Sequence, residues 1–257
     1  MKFLFGLLLT FLTIAASPQD YAVTYLWDEK IPLNVDPSEV TKLDARKAEN
    51  VDSLLSMLPQ FTNVTWLNLW GLGIEELPDD IFENLTKLTW LDLGKNQLQT
   101  LPASFDSLTS LSYLGLYTNL LRDLPEVIYS LDLLELRASG NLLTDTFFIS
   151  PKWDKMTYLS LSGNDVTALE GVRNLRKIER LSLSGCEIKE LPDEFRKCKR
   201  LKYIHLNGNP LESLPKSLLQ RWRVWYILIE DTNIPSETIR NYRVKYPKKV
   251  FDTCQTC

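Results

Sequence analysis

The chain has 257 residues, of which 44% are hydrophobic and 24% charged, and this composition excludes a disordered or fibrous protein. The net charge of −4 at pH 7 is small, which argues against nucleic acid as a partner. The charge is uneven, because residues 20–150 carry 20 Asp or Glu against 8 Lys or Arg, whereas residues 151–257 carry 13 against 20. This asymmetry bears on partners and association, and not on the fold.

The N-terminal segment has the pattern of an export signal. Lys2 supplies a positive charge, the 14 residues from Phe3 to Ala16 carry none, and Ala16 and Ser17 are small residues typical of a cleavage zone. The uncharged run is too short for a spanning helix, although an uncleaved anchor is the alternative. We therefore expect residues 1–17 to be a signal peptide, and the protein to be secreted, extracellular and without a membrane span.

The next segment, residues 18–62, precedes the repeats described below, and we expect it to cap them. It contains no cysteine, so this cap must form without disulfides. Its apolar positions favour a helical element packed on the first coil: Val40, Leu43, Val51, Leu54, Leu55 and Leu58.

One pattern, L-x-x-L-x-L-x-x-N, recurs through residues 63–235. Eight copies align at spacings of 22 to 24 residues, with the last position of each at Leu72, Asn96, Asn119, Asn141, Asn164, Cys186, Asn209 and Thr232. A Leu-Pro pair follows in five copies, at Leu77, Leu101, Leu124, Leu191 and Leu214. No single copy can bury its leucines, but stacked copies share one core.

With this pattern, residues 63–235 resemble the leucine-rich-repeat family, in particular its 23-residue class with Leu-Pro in the second half. The resemblance implies an α/β fold: a right-handed solenoid of eight coils, with a curved parallel sheet on its concave face and helical caps at both ends. The Asn side chains are expected to point inward and to bond turn backbone groups of neighbouring coils.

The fourth coil departs from the pattern. Where other copies have Leu-Pro, it has Thr146, Phe147 and Phe148, followed by Pro151 and Trp153. Two interpretations are open: a repacked bend in the solenoid, or an apolar bump on the outer surface that docks a partner.

The C-terminal cap is expected to be residues 236–257. Residues Ser236 to Tyr246 are predicted as a short helix, with Ser236 as N-cap and Glu237 in the first turn. The Cys-x-x-Cys pair at the end has no second pair to complete a zinc site and no strand–turn–helix context for redox chemistry. We expect a structural disulfide instead, within that pair or with Cys198, so the candidates are Cys198, Cys254 and Cys257.

Two glycosylation sequons begin at Asn63 and Asn84. Both lie in segments that lead into predicted strands. Glycans there would cover the flank or the outer side and leave the concave face open.

The residues between the leucine columns are predicted to face the concave surface. Six of the eight residues in the column before the central leucine are aromatic. This column is either a stack that stabilises the sheet or a ligand-contact surface, because aromatic and arginine side chains dominate binding hot spots. The candidate ligand-binding residues are Trp66, Trp70, Trp90, Asp92, Tyr113, Tyr117, Arg137, Tyr158, Tyr203 and His205.

Basic residues of the C-terminal half recur at a similar phase of successive coils. We call this set the basic flank; its members are Arg173, Arg176, Lys177, Arg196, Lys197, Lys199, Arg200, Lys202, Arg221 and Arg223. It is either a solvated face or a docking surface for an anionic partner such as a sulfated glycan, an acidic polymer or an anionic cell surface.

The sequence does not favour catalysis. The chain has one histidine, His205, and the serines on the neighbouring predicted strand are not on a strained elbow. We find no phosphate loop, dinucleotide fingerprint or metal cluster, and so expect no enzyme activity, cofactor or metal.

The leading hypothesis is therefore an extracellular recognition protein. It would bind a protein, glycan or microbial-surface ligand through the concave aromatic face, and the family resemblance implies a role in innate immunity. The alternatives are a structural, matrix or adhesion protein assembled through the charge asymmetry, and an inhibitor of an exported enzyme.

Overall fold

The computed structural model describes residues 24–26, 36–145 and 147–253. The predicted signal peptide, residues 1–17, lies outside the described residues. The chain divides into two units, one ending at Asn119 and the other beginning at Leu120. In each unit short parallel strands pair with their neighbours in chain order.

Within residues 24–26 and 36–119, the first unit contains five strands: β1 (Thr24–Leu26), β2 (Lys42–Asp44), β3 (Trp66–Asn68), β4 (Trp90–Asp92) and β5 (Tyr113–Gly115). Their register aligns the middle residues Leu43, Leu67, Leu91 and Leu114 of β2 to β5. All four leucines are buried, with at most 1% of their surface exposed. The leucine columns thus form the core, as the repeat pattern predicts.

The described part of the second unit contains six strands: β6 (Glu135–Arg137), β7 (Tyr158–Ser160), β8 (Arg180–Ser182), β9 (Tyr203–His205), β10 (Tyr226–Leu228) and β11 (Val250–Asp252). The buried middle residues again align from strand to strand, through Leu136, Leu159, Leu181, Ile204, Ile227 and Phe251. The fold predicted from the sequence, a right-handed leucine-rich-repeat solenoid, is confirmed.

Helices are short and lie between the strands or near the chain ends. The α-helices are α1 (Val51–Met57), α2 (Glu126–Ser130), α3 (Lys216–Leu219) and α4 (Ser236–Lys245). The 3-10 helices are Pro37–Glu39, Leu58–Gln60, Ala103–Ser107, Pro151–Lys155, Val172–Asn174 and Asp193–Lys197. None of the helices in the described ranges is long and apolar enough to cross a membrane.

The Asn column forms the predicted ladder of hydrogen bonds between coils. The Asn96 side-chain oxygen accepts from the backbone nitrogens of Leu72 and Ile74, each at 3.1 Å. Its amide nitrogen donates to the carbonyl oxygens of Leu69 at 3.0 Å and Leu93 at 2.9 Å. Asn119, Asn164 and Asn209 repeat this arrangement. The buried turns of each coil are therefore bonded to the next coil by a side chain.

Both capping segments contain the predicted helices and also contribute strands. Val40 and Leu43 were expected in a helix, but Leu43 lies in β2, and helix α1 begins only at Val51. The reason is that residues 40–45 follow the L-x-x-L-x-L spacing with Val and Ala as substitutes, so they pair with β3. In the C-terminal segment, Ser236 is the first helical residue and Pro235 is the N-cap, a correction of one position.

The irregular fourth coil is closed by a cluster of aromatic side chains. Trp153 is fully buried, and Phe147 and Tyr129 are at most 8% exposed. The ring centroids of Tyr129 and Phe148 lie 4.1 Å apart, and those of Tyr129 and Trp153 lie 5.6 Å apart. Burial raises the pKa of Tyr129 to about 12, so its hydroxyl stays neutral. Because Phe148 alone of these four is exposed, the geometry favours a repacked bend over a docking bump; Thr146 lies outside the described residues.

Candidate functional site

The predicted binding residues lie on the face of the strands that points away from the leucine core. We call this surface the sheet face; in each coil it comprises the two strand residues flanking the buried middle residue and the residue two positions after the strand. Six of the ten predicted residues lie in the first unit: Trp66, Trp70, Trp90, Asp92, Tyr113 and Tyr117. The other four lie in the second unit: Arg137, Tyr158, Tyr203 and His205.

Trp66, Trp90 and Tyr113 form a continuous stack on the first unit. They occupy the first positions of three strands that pair in register. The ring centroids of Trp66 and Trp90 lie 4.5 Å apart at an interplanar angle of 13°, and those of Trp90 and Tyr113 lie 4.6 Å apart at 10°. All three side chains remain partly exposed. The ring faces therefore stabilise one another, while the outer ring edges form a rigid apolar surface.

A second aromatic group lies beside this stack. The Tyr117 ring covers Gly94, where an added Cβ would come within 2.5 Å of the ring. The Lys95 ammonium lies 4.9 Å from the centroid of the Trp70 ring, a cation–π contact. The repeat pattern does not single out Lys95, because the direction of its side chain depends on the left-handed backbone (φ 54°) of the turn after β4. The surface thus combines aromatic edges with a positive charge.

Asp92 has a different role from the predicted one. It is only 6% exposed, and its carboxylate accepts hydrogen bonds from the Gly94 nitrogen at 2.7 Å and the Tyr117 hydroxyl at 3.2 Å. A Cβ on Gly115 would approach Asp92 Oδ1 to 2.8 Å, so glycine there leaves room for the carboxylate. Because its oxygens are engaged inside the protein, Asp92 positions Tyr117.

An ion pair between the buried Asp44 and the exposed Arg46 extends the same polar column. Asp44 is 7% exposed, and its carboxylate accepts from Arg46 Nε at 2.9 Å and from Arg46 Nη2 at 2.6 Å. Asp44, Asn68 and Asp92 occupy matching positions on β2, β3 and β4. Arg46 was missed at the sequence level because residues 40–48 were assigned to the cap and not to a repeat.

The second unit has a polar cleft of about 540 Å³ on its sheet face. Its walls include three of the four predicted residues of this unit, Arg137, Tyr158 and His205, together with Arg180 and Ser182. The Arg137 guanidinium lies 5.1 Å from the Tyr158 ring centroid and 3.2 Å from a Glu135 carboxylate oxygen. Arginine, tyrosine and hydroxyl groups that converge in a cleft are suited to hydrogen bonding a polar ligand.

Tyr203 packs outside this cleft. The Arg180 guanidinium lies 5.2 Å from its ring centroid, and the Trp225 ring lies 5.5 Å away at 46°. The Tyr226 hydroxyl donates to Asp252 Oδ2 at 3.0 Å on the neighbouring strand. Tyr203 therefore orients Arg180, which in turn lines the cleft.

His205 is half-buried, and burial, followed by the nearby charge of Arg180, lowers its pKa below the ordinary 6.5. Folding thus favours the neutral imidazole, and stability is expected to fall as pH drops through about 6.5.

Because the chain has one histidine, a single imidazole NMR signal should titrate with a midpoint below 6.5. Arg180→Gln should raise this midpoint without restoring 6.5, because burial remains. Arg173→Gln removes an equal charge elsewhere and should leave it unchanged; an equal shift in both variants would contradict this assignment.

Ser162, Ser182 and Ser184 on the sheet face of this unit bond one another. Ser162 Oγ and Ser182 Oγ lie 2.8 Å apart, and the Ser184 nitrogen donates to Ser162 Oγ at 3.0 Å. Within the described residues, no group of three or more His, Cys, Asp and Glu side chains could hold a metal ion.

The two sequons differ in their surroundings. Asn84 is exposed, whereas Asn63 is half-buried and its amide nitrogen donates to the Ser38 carbonyl oxygen at 2.6 Å. A glycan uses this same nitrogen, so the folded structure accommodates one more readily at Asn84.

Of the disulfide candidates, only Cys198 lies within the described residues. It is a free, buried thiol whose sulfur donates to the Val172 carbonyl oxygen at 3.4 Å, and Cys186 is similarly buried. Burial raises the pKa of Cys186 to about 11 and that of Cys198 to about 12, so both thiols stay protonated. Cys254 and Cys257 lie outside the described residues, so a disulfide within that pair or with Cys198 stays a prediction.

Comparison with family models matches two segments. Residues 62–121 match the model described as leucine rich repeat, and residues 176–218 match the model described as leucine rich repeats (2 copies). Apart from residue 62, both segments lie within the predicted repeat region, residues 63–235.

The chain is also similar in sequence to a known protein. The chain is 26% identical to chicken (Gallus gallus) Tsukushi over 191 residues, covering 72% of this chain and 45% of Tsukushi. The chain therefore spans less than half the length of this relative.

Two solved structures share the fold. A leucine-rich-repeat protein of Leptospira interrogans superposes with a TM-score of 0.65 at 26% identity, covering 77% of this chain and 56% of that protein. The plant peptide hormone receptor RGFR1, solved in complex with RGF2, superposes with a TM-score of 0.64 at 21% identity, covering 85% and 36%. The chain therefore contains leucine-rich repeats, and it folds as a right-handed leucine-rich-repeat solenoid.

Proposed function

We propose that this chain is an extracellular, non-catalytic recognition module that binds a protein ligand through the sheet face of its first unit. The observation that carries the proposal is the stack of Trp66, Trp90 and Tyr113, whose outer edges stay accessible beside the Lys95–Trp70 pair. Aromatic side chains held rigidly lose little entropy on binding and are enriched at interface hot spots.

The internal contacts of this surface support the same function. Asp92 and Asp44 are used within the sheet, so the polar column fixes the geometry of the face while the rings and Lys95 meet the ligand. The similar plant receptor is a peptide hormone receptor solved in complex with RGF2. Extracellular location is supported by the N-terminal sequence and by the exposed sequon at Asn84. Glycan or microbial-surface ligands and innate immunity rest on the family resemblance alone.

The test compares a variant that lacks the two tryptophans of the stack with a variant that lacks two other tryptophans. Trp66→Ala with Trp90→Ala should lower affinity for a bound extracellular protein by on the order of a hundredfold. The matched control is Trp222→Ala with Trp225→Ala, since both residues are exposed and lie in the second unit. Ligands are recovered from extracellular fluid of the source organism by quantitative mass spectrometry, and the affinity of each is measured by calorimetry.

Circular dichroism shows whether the variants keep their fold, and Lys95→Ala, which leaves the stack intact, gives a second measurement. Equal binding by wild type and the Trp66/Trp90 variant would overturn the role of the sheet face. Retention of the chain inside secreting cells would overturn the extracellular placement. Self-association that weakens with salt would favour the alternative, a matrix or adhesion protein assembled through unequal charge.

A further inference from the structure

The basic flank lies on the segments that connect strands β7 to β10 in the second unit. The 3-10 helix Val172–Asn174 packs beside the 3-10 helix Asp193–Lys197, which packs beside α3. Residues 23 positions apart occupy equivalent places on these segments, so Arg173 aligns with Arg196, Arg176 with Lys199, and Lys177 with Arg200. Neighbouring coils are about 4.8 Å apart, so these cations form rows across adjacent coils.

Most of these cations have no carboxylate partner. Arg173, Arg176, Lys177, Arg196, Lys197, Lys199 and Arg200 are exposed. Within residues 36–145 and 147–253, none of these seven forms an ion pair with a carboxylate, whereas Lys202 pairs with Glu179 at 2.7 Å. The like charges repel one another in the isolated protein, so an anion that bridges them would relieve the repulsion.

Most acidic and most basic residues of these segments line different clefts. The charged residues that line one cleft are mainly acidic, among them Glu187, Glu190, Asp193 and Glu194, together with Arg173 and Lys189. A separate cleft of about 590 Å³ is lined by Arg173, Asn174, Arg176, Lys197 and Lys199, with no acidic residue. A randomly mixed, solvated surface would carry both signs of charge in each cleft, whereas here one cleft is predominantly acidic and the other has only basic charges; Arg173 lines both.

Helix dipoles account for only part of this pattern. Cations in the last turn of a helix are favourable, which explains Arg173, Arg196 and Lys197. Arg176, Lys177, Lys199 and Arg200 lie in the turns after the helices, beyond the reach of that effect. The simple interpretation as a solvated face therefore leaves the turn cations unexplained.

We propose that the basic flank binds a sulfated polysaccharide, with sulfate groups bound between cations of adjacent coils. The proposal rests on the extracellular placement in the proposed function and is independent of the sheet face. Guanidinium groups bind oxyanions with paired hydrogen bonds, and release of counterions from a polyanion adds affinity. A linear chain can enter a cleft lined by cations, whereas a flat bilayer surface reaches only its rim. This geometry favours a polysaccharide over an anionic membrane.

The test uses heparin as the probe and a variant that removes three cations of the cleft. Arg176→Gln, Lys197→Gln and Lys199→Gln together should weaken binding of heparin to the full chain by about tenfold or more at 0.15 M salt. Affinity decreases with salt, and the steepness of log affinity against log salt concentration should become smaller by about two in this variant. The matched control, Lys152→Gln with Arg240→Gln and Lys248→Gln, removes the same charge from exposed positions of the same unit and should bind like wild type.

Further measurements separate the remaining outcomes. Desulfated heparin should bind at least tenfold more weakly than heparin if sulfate is the recognised group. Equal losses in the two triple variants, absence of heparin binding by wild type at 0.15 M salt, or binding to phosphatidylserine vesicles but not to heparin would each overturn the proposal. The Trp66/Trp90 variant should bind heparin normally. If heparin does not bind but the sheet face still binds its protein ligand, only the polysaccharide proposal is overturned. If heparin binds but the Trp66/Trp90 variant binds the protein ligand like wild type, only the proposed function is overturned.

Discussion

Replacement of Trp153 by alanine is expected to lower the free energy of unfolding by about 4 kcal/mol. Trp153 is fully buried, and its ring packs against Tyr129 at 5.6 Å and Phe147 at 6.0 Å. Truncation would leave a cavity that the short Pro151–Lys155 helix cannot fill, because Ser150 anchors that helix to the Tyr129 carbonyl oxygen. Chemical denaturation followed by far-ultraviolet circular dichroism measures the change.

Two further variants sharpen this test. Trp153→Phe keeps most of the apolar volume and removes an indole nitrogen that has no hydrogen-bond partner among the described residues, so its cost should be about 1 kcal/mol. Trp222→Ala, at a tryptophan that is 81% exposed, should change stability by less than about 0.5 kcal/mol. A nearly neutral Trp153→Ala would contradict the packed bend and return the fourth coil to its other interpretation, a docking surface.

Replacement of Asn96 by alanine is expected to lower the free energy of unfolding by about 3 kcal/mol. The side chain is 7% exposed and satisfies two backbone nitrogens and two backbone carbonyl oxygens. Each buried group left without a partner costs about 1–3 kcal/mol, and entry of water into the vacated space lowers the sum. Hydrogen exchange should therefore accelerate at the Leu72 and Ile74 amides, whose acceptor is lost. The midpoint of chemical denaturation should also be lower than in wild type.

The adjacent residue provides the control for Asn96. Gln97 is exposed, and its side chain makes a long hydrogen bond from Nε2 to the Gly73 carbonyl oxygen at 3.3 Å. Gln97→Ala should thus stay within about 0.5 kcal/mol of wild type. If Asn96→Ala behaved like Gln97→Ala, the asparagine ladder would not hold the coils together.

The limits of sequence reasoning are clearest on the sheet face. Alternation along a strand correctly separates Trp66 and Trp90 from the leucine core, because adjacent side chains point to opposite sides. It cannot tell which outward residue is exposed, and Asp92 is outward yet buried beneath Tyr117. Burial there depends on the size of side chains from the next coil, and Gly94 and Gly115 create the space that Tyr117 and Asp92 fill.

The sequence by itself determined the repeat, the register of the leucine core and the inward asparagines, because a repeated spacing brings like residues together in every coil. Only the tertiary structure decided that β2 and β11 extend the strands into the capping segments, since each pairs with a neighbouring strand although its own sequence matches the repeat weakly. The tertiary structure also decided which cations lack a carboxylate partner and which polar side chains form hydrogen bonds within the protein. These properties arise from contacts between residues more than 20 positions apart, such as Asp92 with Tyr117, which no local pattern encodes.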